Sequence, residues 1–401
     1  MARTARNLRG IRRGLAGLWL AAMAWVSPLA AEPYLPADDA LVLERLPRAV
    51  IGERAELRTL RAQLDRRPDD LALAVRLAER YIALARSESD PRFYGRAEGV
   101  MRRWLQADDP PVAALVLRAT FAQYRHDFDA AATDLLAVIR RDPGHAQAWL
   151  TLATLERVQG RYDRAAEACS RLFRLAPVII ALTCQADVAS LTGQARTGHD
   201  RLQALAAANI DMPPEIRLWV LSVLAESAVR AGEPRAAEDH FRKAIALGRR
   251  DGWLLAAYAD FLLDQDRPAD ARRLLDGETR TDMLLLRLAI AERKLGDPGW
   301  EEHSARLRER FAANRARGDF AHQREEARFA LSLADDPGAA LVLALDNWRV
   351  QREPADARLV LGAALASGSP AEAKPVLDWL ATTGLEDPAI ARLVRRLDER
   401  A

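Results

Sequence analysis

The chain of 401 residues is poor in aromatic residues, lysine and cysteine. Aromatic residues make up 6% of it, cysteine occurs twice, and lysine occurs only at Lys243, Lys294 and Lys374. Runs of Val, Ile and Thr, the β-branched residues that favour strands, are scarce, while Ala and Leu, which favour helices, are abundant. This composition predicts an all-helical chain and argues against a sheet-based domain.

The chain also lacks the short motifs that mark common catalytic sites. It contains no Gly-x-x-x-x-Gly-Lys-Ser/Thr loop, no Gly-x-Gly-x-x-Gly turn and no Gly-x-Ser-x-Gly nucleophile turn. The six histidines are dispersed, and none forms the His-x-x-x-His spacing that would place two imidazoles on one helix face. We therefore expect no catalytic residues, no metal site and no cofactor.

The N-terminal segment, 1–31, has the order of a bacterial signal peptide. Arginines precede an apolar run from Leu15 to Val26, and small residues at Ala30-Ala31 offer a cleavage site before Glu32. This run is shorter than the ~20 residues of a membrane span, and an uncleaved N-terminal anchor is the alternative. This order predicts Sec-type export. Because Ala and Arg are abundant, as in GC-rich bacterial genomes, we expect the destination to be the periplasm or the outside of the cell.

Cleavage of this segment would change the charge balance of the chain. It holds five arginines and no acidic residue, so its removal takes the formal net charge from +2 to −3. Interspersed charges with this balance offer no basic face to nucleic acid or to an anionic membrane. We expect no nucleic-acid partner, and no stable membrane span once the signal is removed.

Two consecutive stretches of equal length, 112–145 and 146–179, carry the same pattern. The corresponding residues are Phe128 and Tyr162, Ala131 and Ala165, Leu135 and Cys169, Val138 and Leu172, and Pro143 and Pro177. The second copy also has Trp149, Leu152-Ala153 and Gly160-Arg161-Tyr162 at fixed intervals. In order, the pattern is an aromatic residue, Leu followed by a small residue, Gly-x-Tyr, Ala and a closing Pro.

This pattern resembles the tetratricopeptide repeat (TPR), a unit of about 34 residues that forms two antiparallel helices. Two such helices bury their apolar faces only by stacking on neighbouring pairs. The resemblance therefore implies an all-α fold, an α-solenoid or superhelix of stacked helix pairs. A solenoid grows in one dimension, so the length of the chain does not require several globular domains.

We expect four segments along the chain. They are a signal peptide (1–31), a linker or N-terminal arm (32–52), well-matched repeats (53–280), and degenerate helical repeats with a C-terminal cap (281–401). In the last segment, Gly296-Asp297-Pro298 and Gly318-Asp319-Phe320 both resemble the turn inside a repeat. Only one of these two turns can precede the second helix of a repeat, so the sequence does not determine the repeat register after residue 281.

In the TPR family the first helix of each pair lines a concave groove that binds ligands. The resemblance places eight candidate binding residues there: Gln123, Tyr124, Thr154, Arg157, Glu226, Arg230, Trp253 and Asp260. No continuous Lys/Arg clamp for a C-terminal carboxylate is present among them. We expect a non-enzymatic scaffold or adaptor that binds a protein or an extended peptide in this groove. The alternative is an envelope assembly or export component that binds a small molecule or glycan in a closed pocket.

The two cysteines fall on helices that are neighbours in the expected array. Cys169 lies on the second helix of one repeat and Cys184 on the first helix of the next. In an oxidising compartment this placement allows a disulfide, and the alternative is that Cys169 is a small buried hydrophobic residue. A metal site is not expected, because two thiols without a nearby histidine supply too few ligands.

Export predicts a shortened mature chain. Intact-mass analysis of the protein recovered from its native host should give a chain that begins near Glu32. Retention of Met1 in the membrane fraction would contradict cleavage and identify the segment as an anchor.

Overall fold

The computed structural model describes residues 48–88, 90, 92–209, 211–318 and 323–400. The described residues form helices and no strand, in agreement with the all-helical prediction. None of the described helices is long and apolar enough to cross a membrane. The predicted signal peptide and most of the predicted arm lie outside the described residues.

Twenty α-helices are described. The first ten are α1 (Arg48–Arg66), α2 (Leu71–Glu88), α3 (Arg92–Leu105), α4 (Val112–Tyr124), α5 (Phe128–Arg141), α6 (Ala146–Val158), α7 (Tyr162–Arg171), α8 (Val178–Ala189), α9 (Ala195–Ala208) and α10 (Pro214–Arg230). The others are α11 (Pro234–Ile245), α12 (Gly252–Asp264), α13 (Pro268–Leu274), α14 (Asp282–Leu295), α15 (Gly299–Ala316), α16 (Gln323–Ser332), α17 (Pro337–Trp348), α18 (Pro354–Ala366), α19 (Lys374–Thr383) and α20 (Pro388–Asp398). Short 3-10 turns cover Leu172–Arg174 and Pro370–Ala373.

The chain divides into two units at Glu56 and Leu57. Of the first unit, the structure describes the beginning of α1, which starts at Arg48, inside the stretch predicted as an arm. The second unit, Leu57–Ala401, contains the repeats and is the subject of everything that follows.

Successive helices of the second unit pair as first (A) and second (B) helices of a repeat. Repeats 1 to 7 are α2–α3, α4–α5, α6–α7, α8–α9, α10–α11, α12–α13 and α14–α15. Each A helix from α6 to α12 also packs on the A helix of the next repeat. This arrangement is the all-α solenoid of stacked helix pairs that the repeated pattern predicts.

Small residues allow the A and B helices of one repeat to approach closely. Equivalent alanines near the start of four B helices are completely buried: Ala131, Ala165, Ala237 and Ala271. The turn before each B helix needs a left-handed residue, which is Gly160 (φ 71°) in repeat 3 and Gly232 (φ 72°) in repeat 5. Asp266 takes the same conformation in repeat 6 (φ 55°), and Asp is one of the few other residues that tolerate it.

The structure also defines the repeat register after residue 281. Gly296, at φ 70°, ends α14, and the paired helix α15 follows at once, so this turn lies inside repeat 7. Gly318 instead follows the end of α15. Helix α16 packs beside α14 and pairs with α17, so it is the A helix of the next repeat. Helix α18 packs beside α16, and the terminal helix α20 packs on α18.

The C-terminal helices pack back onto the middle repeats, which the sequence pattern did not predict. A single hydrophobic cluster contains Ala165 and Cys169 of repeat 3 together with Trp348, Val360 and Trp379. The backbone N–H of Arg352 donates to the carbonyl oxygen of Val158 over 2.8 Å. The hydroxyl of Tyr162 donates to the carbonyl oxygen of Arg352 over 3.2 Å.

The C-terminal segment follows the turns between A and B helices of three consecutive repeats. A Cβ placed on Gly160 would lie 3.0 Å from Cβ of Arg352, and one on Gly193 would lie 2.8 Å from the carbonyl oxygen of Gly384. A Cβ on Gly232 would lie 3.6 Å from Pro388. Gly193 therefore leaves room for the C-terminal backbone, and Gly160 leaves room for the side chains of Arg352 and Trp379.

The close approach of α6 and α7 gives a stability prediction. Leucine at Ala165, which is completely buried, should destabilise the protein by ~1–3 kcal/mol through overpacking. Leucine at the adjacent, exposed Ala166 is the control and should change stability by less than ~0.5 kcal/mol. Urea denaturation measures both variants, and an unchanged midpoint for Ala165→Leu would show that this helix contact is assigned wrongly.

Candidate concave binding site

Five successive A helices, α2, α4, α6, α8 and α10, contribute to a cavity of about 250 Å³ on the concave face, and α2 contributes Arg86. Helix α6 provides Gln147, Thr151 and Thr154, whose spacings of four and three place them on one helix face. Gln123 from α4 and Trp219 from α10 complete opposite sides. The cavity therefore extends over repeats 1 to 5.

The lining of the cavity combines amide, hydroxyl and charged groups with an apolar strip. Gln147 Nε2 donates to Thr151 Oγ1 over 3.1 Å, while the Thr151 hydroxyl donates to the backbone oxygen of Gln147 over 2.9 Å. Leu150, Val188 and Trp219 supply the apolar part of the wall. Amide side chains offer both donors and acceptors, so this surface can hydrogen-bond the N–H and C=O groups of an extended chain.

An ion network begins at the edge of the cavity, where Arg157 lies between two carboxylates. It is 3.3 Å from Asp187 of α8 and 3.1 Å from Glu353, the residue before α18. Burial lowers the pKa of the Arg157 guanidinium, and the two carboxylates raise it by more, so the arginine stays charged. Arg157 thus links the concave face of repeats 3 and 4 to the C-terminal helices.

The network continues from Glu353 into the core of the C-terminal helices. Arg324 of α16 is 2.6 Å from Glu353 and donates two hydrogen bonds to Asp356, at 2.6 and 2.7 Å. Burial raises the pKa of Glu353, but Arg324 and Arg157 lower it by more, so its pKa lies well below the usual range. Asp356 also accepts hydrogen bonds from Asn347 and from the backbone N–H of Glu353, which fixes the first turn of α18.

A second ion network lies farther along the A helices. The carboxylate of Asp260 on α12 forms ion pairs with Arg287 of α14 at 2.7 Å and with Arg328 of α16 at 2.6 Å. Burial raises the pKa of Asp260, yet the two arginines outweigh it and hold the pKa below its usual range. Arg358 of α18 similarly joins Asp264 of α12, at 2.6 Å, to Asp387. The concave side chains of repeat 6 are thus engaged by the C-terminal repeats.

The structure brings together some of the eight predicted groove residues and separates the others. Gln123, Thr154 and Arg157 line the cavity. Glu226 and Arg230 pair with each other at 3.2 Å, and Arg230 lies 3.8 Å from Asp187 at the border of the cavity.

The other three lie elsewhere. Tyr124 stacks on Tyr94, with ring centroids 3.9 Å apart, and Asp260 belongs to the second network. Trp253 stands 68% exposed on α12 and is not among the residues that line the cavity.

Gln147, Asp187, Trp219 and Glu353 are among the residues of this site that sequence reasoning missed. Gln147 and Trp219 occupy the same place in their repeats as Trp253, the second residue of the repeat unit, so comparison of repeat positions could have found them. Glu353 gave no such signal, because its contact with Arg157 joins parts of the chain that are far apart in the sequence.

The two cysteines are joined in the structure. A disulfide connects Cys169 on α7 to Cys184 on α8, with Cα atoms 5.6 Å apart, within the range that a disulfide permits. Cys184 also forms part of the cavity wall. The bond links repeats 3 and 4 directly beneath the site, and its formation in the cell stays a prediction.

Within the described residues, no three His, Cys, Asp or Glu side chains are arranged to hold a metal ion.

The family model that describes the tetratricopeptide repeat matches residues 116–178. These residues include α5 to α7, where the glycine turn, the buried alanines and the paired helices occur together. The chain therefore contains a tetratricopeptide repeat segment at these residues. No curated protein sequence matches the chain.

Several solved structures resemble this chain at low sequence identity. One is a crystal structure of the APC/C hetero-tetramer Cut9–Hcn1, with 15% identity and a TM-score of 0.41, covering 86% of this chain and 52% of that one. The human IFIT1 dimer with m7Gppp-AAAA has 14% identity and a TM-score of 0.45, covering 86% and 87%. Yeast Tom70 has 10% identity and a TM-score of 0.40, covering 88% and 86%.

The chain spans about half the length of the Cut9–Hcn1 chain that it matches. All three TM-scores lie below 0.5, so these likenesses carry no inference about ligands or partners.

The buried network predicts that Glu353 holds the C-terminal helices in place. Glu353→Gln removes the charge that Arg157 and Arg324 share, and should destabilise the protein by about 3 kcal/mol, as for other broken buried pairs. Asp346→Asn removes the exposed partner of Arg349 in the same segment and should cost no more than ~1 kcal/mol. Equal urea midpoints for the two variants would contradict a structural role of Glu353.

Proposed function

We propose that this protein is a non-enzymatic scaffold of the bacterial periplasm, which binds an extended segment of a partner protein in its concave cavity. The observation that supports this function best is the cavity itself. Its wall is built by the A helices of successive repeats, and its amide and hydroxyl groups lie beside Leu150, Val188 and Trp219. Such a surface can bind backbone groups and an apolar side chain of one short segment.

The size and chemistry of the cavity favour a peptide segment over an enclosed small molecule or glycan. Small-molecule pockets commonly have volumes of ~300–1,000 Å³ and mostly apolar walls. This cavity has about 250 Å³ and is lined by polar and apolar groups in nearly equal shares. An extended segment can lie across it and continue along the surface on both sides, so it needs no deep enclosure.

The packing of the C-terminal helices indicates from which side a partner approaches. Gln147 and Trp219 lie near the starts of α6 and α10. The turns that contact the C-terminal helices lie at the other ends of these A helices, about 20 Å away at 1.5 Å per residue. A partner would therefore enter at the helix starts, where Gln147 and Trp219 form part of the wall.

The charged groups of the concave face support a binding role without catalysis. Arg157, Arg324, Arg287 and Asp260 are each engaged with groups of opposite charge on neighbouring helices. These charges stabilise the packing of helices, and paired ions of this kind are poor nucleophiles or proton donors for a substrate.

The proposed location rests on the N-terminal sequence, which lies outside the described residues. The arginine-rich start, the short apolar run and Ala30-Ala31 before Glu32 support Sec-type export. The disulfide between Cys169 and Cys184 is also typical of proteins in an oxidising compartment.

Blocking the cavity tests the proposed function. Thr151→Trp would fill the cavity, while Thr133→Trp is a matched control, because each hydroxyl donates to the carbonyl four residues earlier over 2.9 Å and Thr133 is exposed on α5. The mature chain and both variants are used to capture proteins from a periplasmic extract of the native host. Wild type and Thr133→Trp should retain the same partner, with at least about a tenfold loss for Thr151→Trp, equivalent to ~1.4 kcal/mol.

Two outcomes would contradict the proposal. Either Thr151→Trp retains the partner as well as the wild type does, or the wild type retains no protein above a bare-matrix control.

A further inference from the structure

Two buried histidines meet at the joint between repeats 4 and 5. His199 of α9 and His240 of α11 are 7% and 6% exposed, and their Nε2 atoms lie 3.1 Å apart. They belong to the B helices of consecutive repeats. Neither contributes to the ion networks or the cavity described above.

The hydrogen bond between the two rings requires that at least one of them is uncharged. His199 Nδ1 lies 3.1 Å from the Asp200 carboxylate, so it carries the hydrogen and donates. His199 Nε2 then accepts a hydrogen bond from His240 Nε2–H. Two doubly protonated imidazolium rings would have only donors at both positions, and their N–H groups would face each other at 3.1 Å.

The charges around the pair come from a small set of groups. On α9 and α11 themselves these include Asp200, Asp239 and Lys243, with Asp239 and Lys243 paired at 2.6 Å on the exposed side. The other charged residues of these two helices are Arg196, Arg201, Arg235, Glu238 and Arg242. Arg196 and Glu233 form an ion pair across the same joint. The titratable groups of the helices packed against α9 and α11 are Asp187 on α8, Glu215, Arg217, Glu226 and Arg230 on α10, and Tyr258, Asp260 and Asp264 on α12.

Burial is the main influence on His240, followed by the charge of His199. Together they lower the pKa of His240 from 6.5 to about 4, against a smaller opposing effect of Asp239. A histidine freed from this contact would regain its ordinary pKa near 6.5. As the pH falls from 6.5 towards 4, the opened joint therefore binds a proton that the closed joint excludes, and acid favours opening.

The A helices of the same two repeats, α8 and α10, form part of the cavity wall. Asp187 of repeat 4 and Arg230 of repeat 5 lie 3.8 Å apart, and Trp219 of repeat 5 forms the cavity wall opposite α8. A change in the distance between repeats 4 and 5 must therefore change the cavity.

We propose that the His199–His240 pair is an acid-sensitive joint, whose protonation loosens the contact between repeats 4 and 5 and opens the concave cavity. In mild acid the two rings separate, α9 and α11 lose their direct contact, and the wall that Trp219 provides moves away from α8. The opening is a property of the chain alone, and only its effect on partner binding rests on the proposed function.

Hydrogen–deuterium exchange of the mature chain at pH 7 and pH 5, corrected for intrinsic exchange rates, tests the joint. The pKa of His240 in the closed joint is lowered to about 4. The equilibrium constant for the opening that exposes the amides of α9 and α11 should therefore increase about twentyfold from pH 7 to pH 5. His240→Gln should abolish the increase. His145→Asn is the control, since it removes an imidazole outside the joint but keeps the N-cap of α6, and it should respond as the wild type does.

An equal acid response in His240→Gln, or no response in the wild type, would overturn the proposal. If His240→Gln does not fold, titration of the wild-type imidazole signals by NMR decides the matter. A His240 midpoint well below 6 supports the joint, and a midpoint near 6.5 overturns it. These measurements need no partner, so a capture test that contradicts the proposed function leaves their result unaffected.

Discussion

The packing of the C-terminal helices against the turns of the middle repeats is the contact on which the rest of the structure depends. The approach is possible because glycine occupies those turns: a Cβ at Gly160 or Gly193 would come within 3.0 Å of the opposing chain. The backbone bond from Arg352 to Val158 and the shared hydrophobic cluster follow from it. Without that approach, Glu353 could not reach Arg157 at the edge of the cavity.

This contact explains the unusual number of buried charges on the concave face. In an open solenoid, A-helix side chains such as Asp260 and Arg157 would be solvated, and their charges would contribute little to stability. Here the C-terminal repeats remove them from water, so each must find a partner or suffer a desolvation penalty of several kcal/mol. Arg324, Arg328 and Glu353 are those partners, and they come from the segment that causes the burial. Charged residues that the sequence suggests as ligand-binding residues therefore stabilise the fold.

The local features of this protein could be read from the sequence, and the non-local ones could not. The fixed interval between the two repeat copies predicted the helix pairs, and the buried Ala131 and Ala165 are at the positions that the pattern requires. Gln123, Thr154 and Arg157 were assigned to the concave face because the repeat register fixes where an A-helix residue points. The register after residue 281 could not be chosen, since Gly296 and Gly318 have the same conformation and only packing distinguishes them. The contact of Glu353 with Arg157 depends on how the last repeats return to the third, and no short-range pattern encodes that.

An engineered disulfide between repeat 3 and the C-terminal segment tests this packing most directly. The Cβ position at Gly160 is 3.0 Å from Cβ of Arg352, and a shift of under ~1 Å gives the ~3.8 Å typical of a disulfide. Gly160→Cys combined with Arg352→Cys should therefore form a second bond spontaneously, detected by intact mass after alkylation under denaturing, non-reducing conditions. Gly277→Cys with Arg352→Cys is the control, because Gly277 has the same left-handed conformation and open space around it. Bond formation in the first pair and two free thiols in the second is the predicted result. Two free thiols in both pairs would contradict the account.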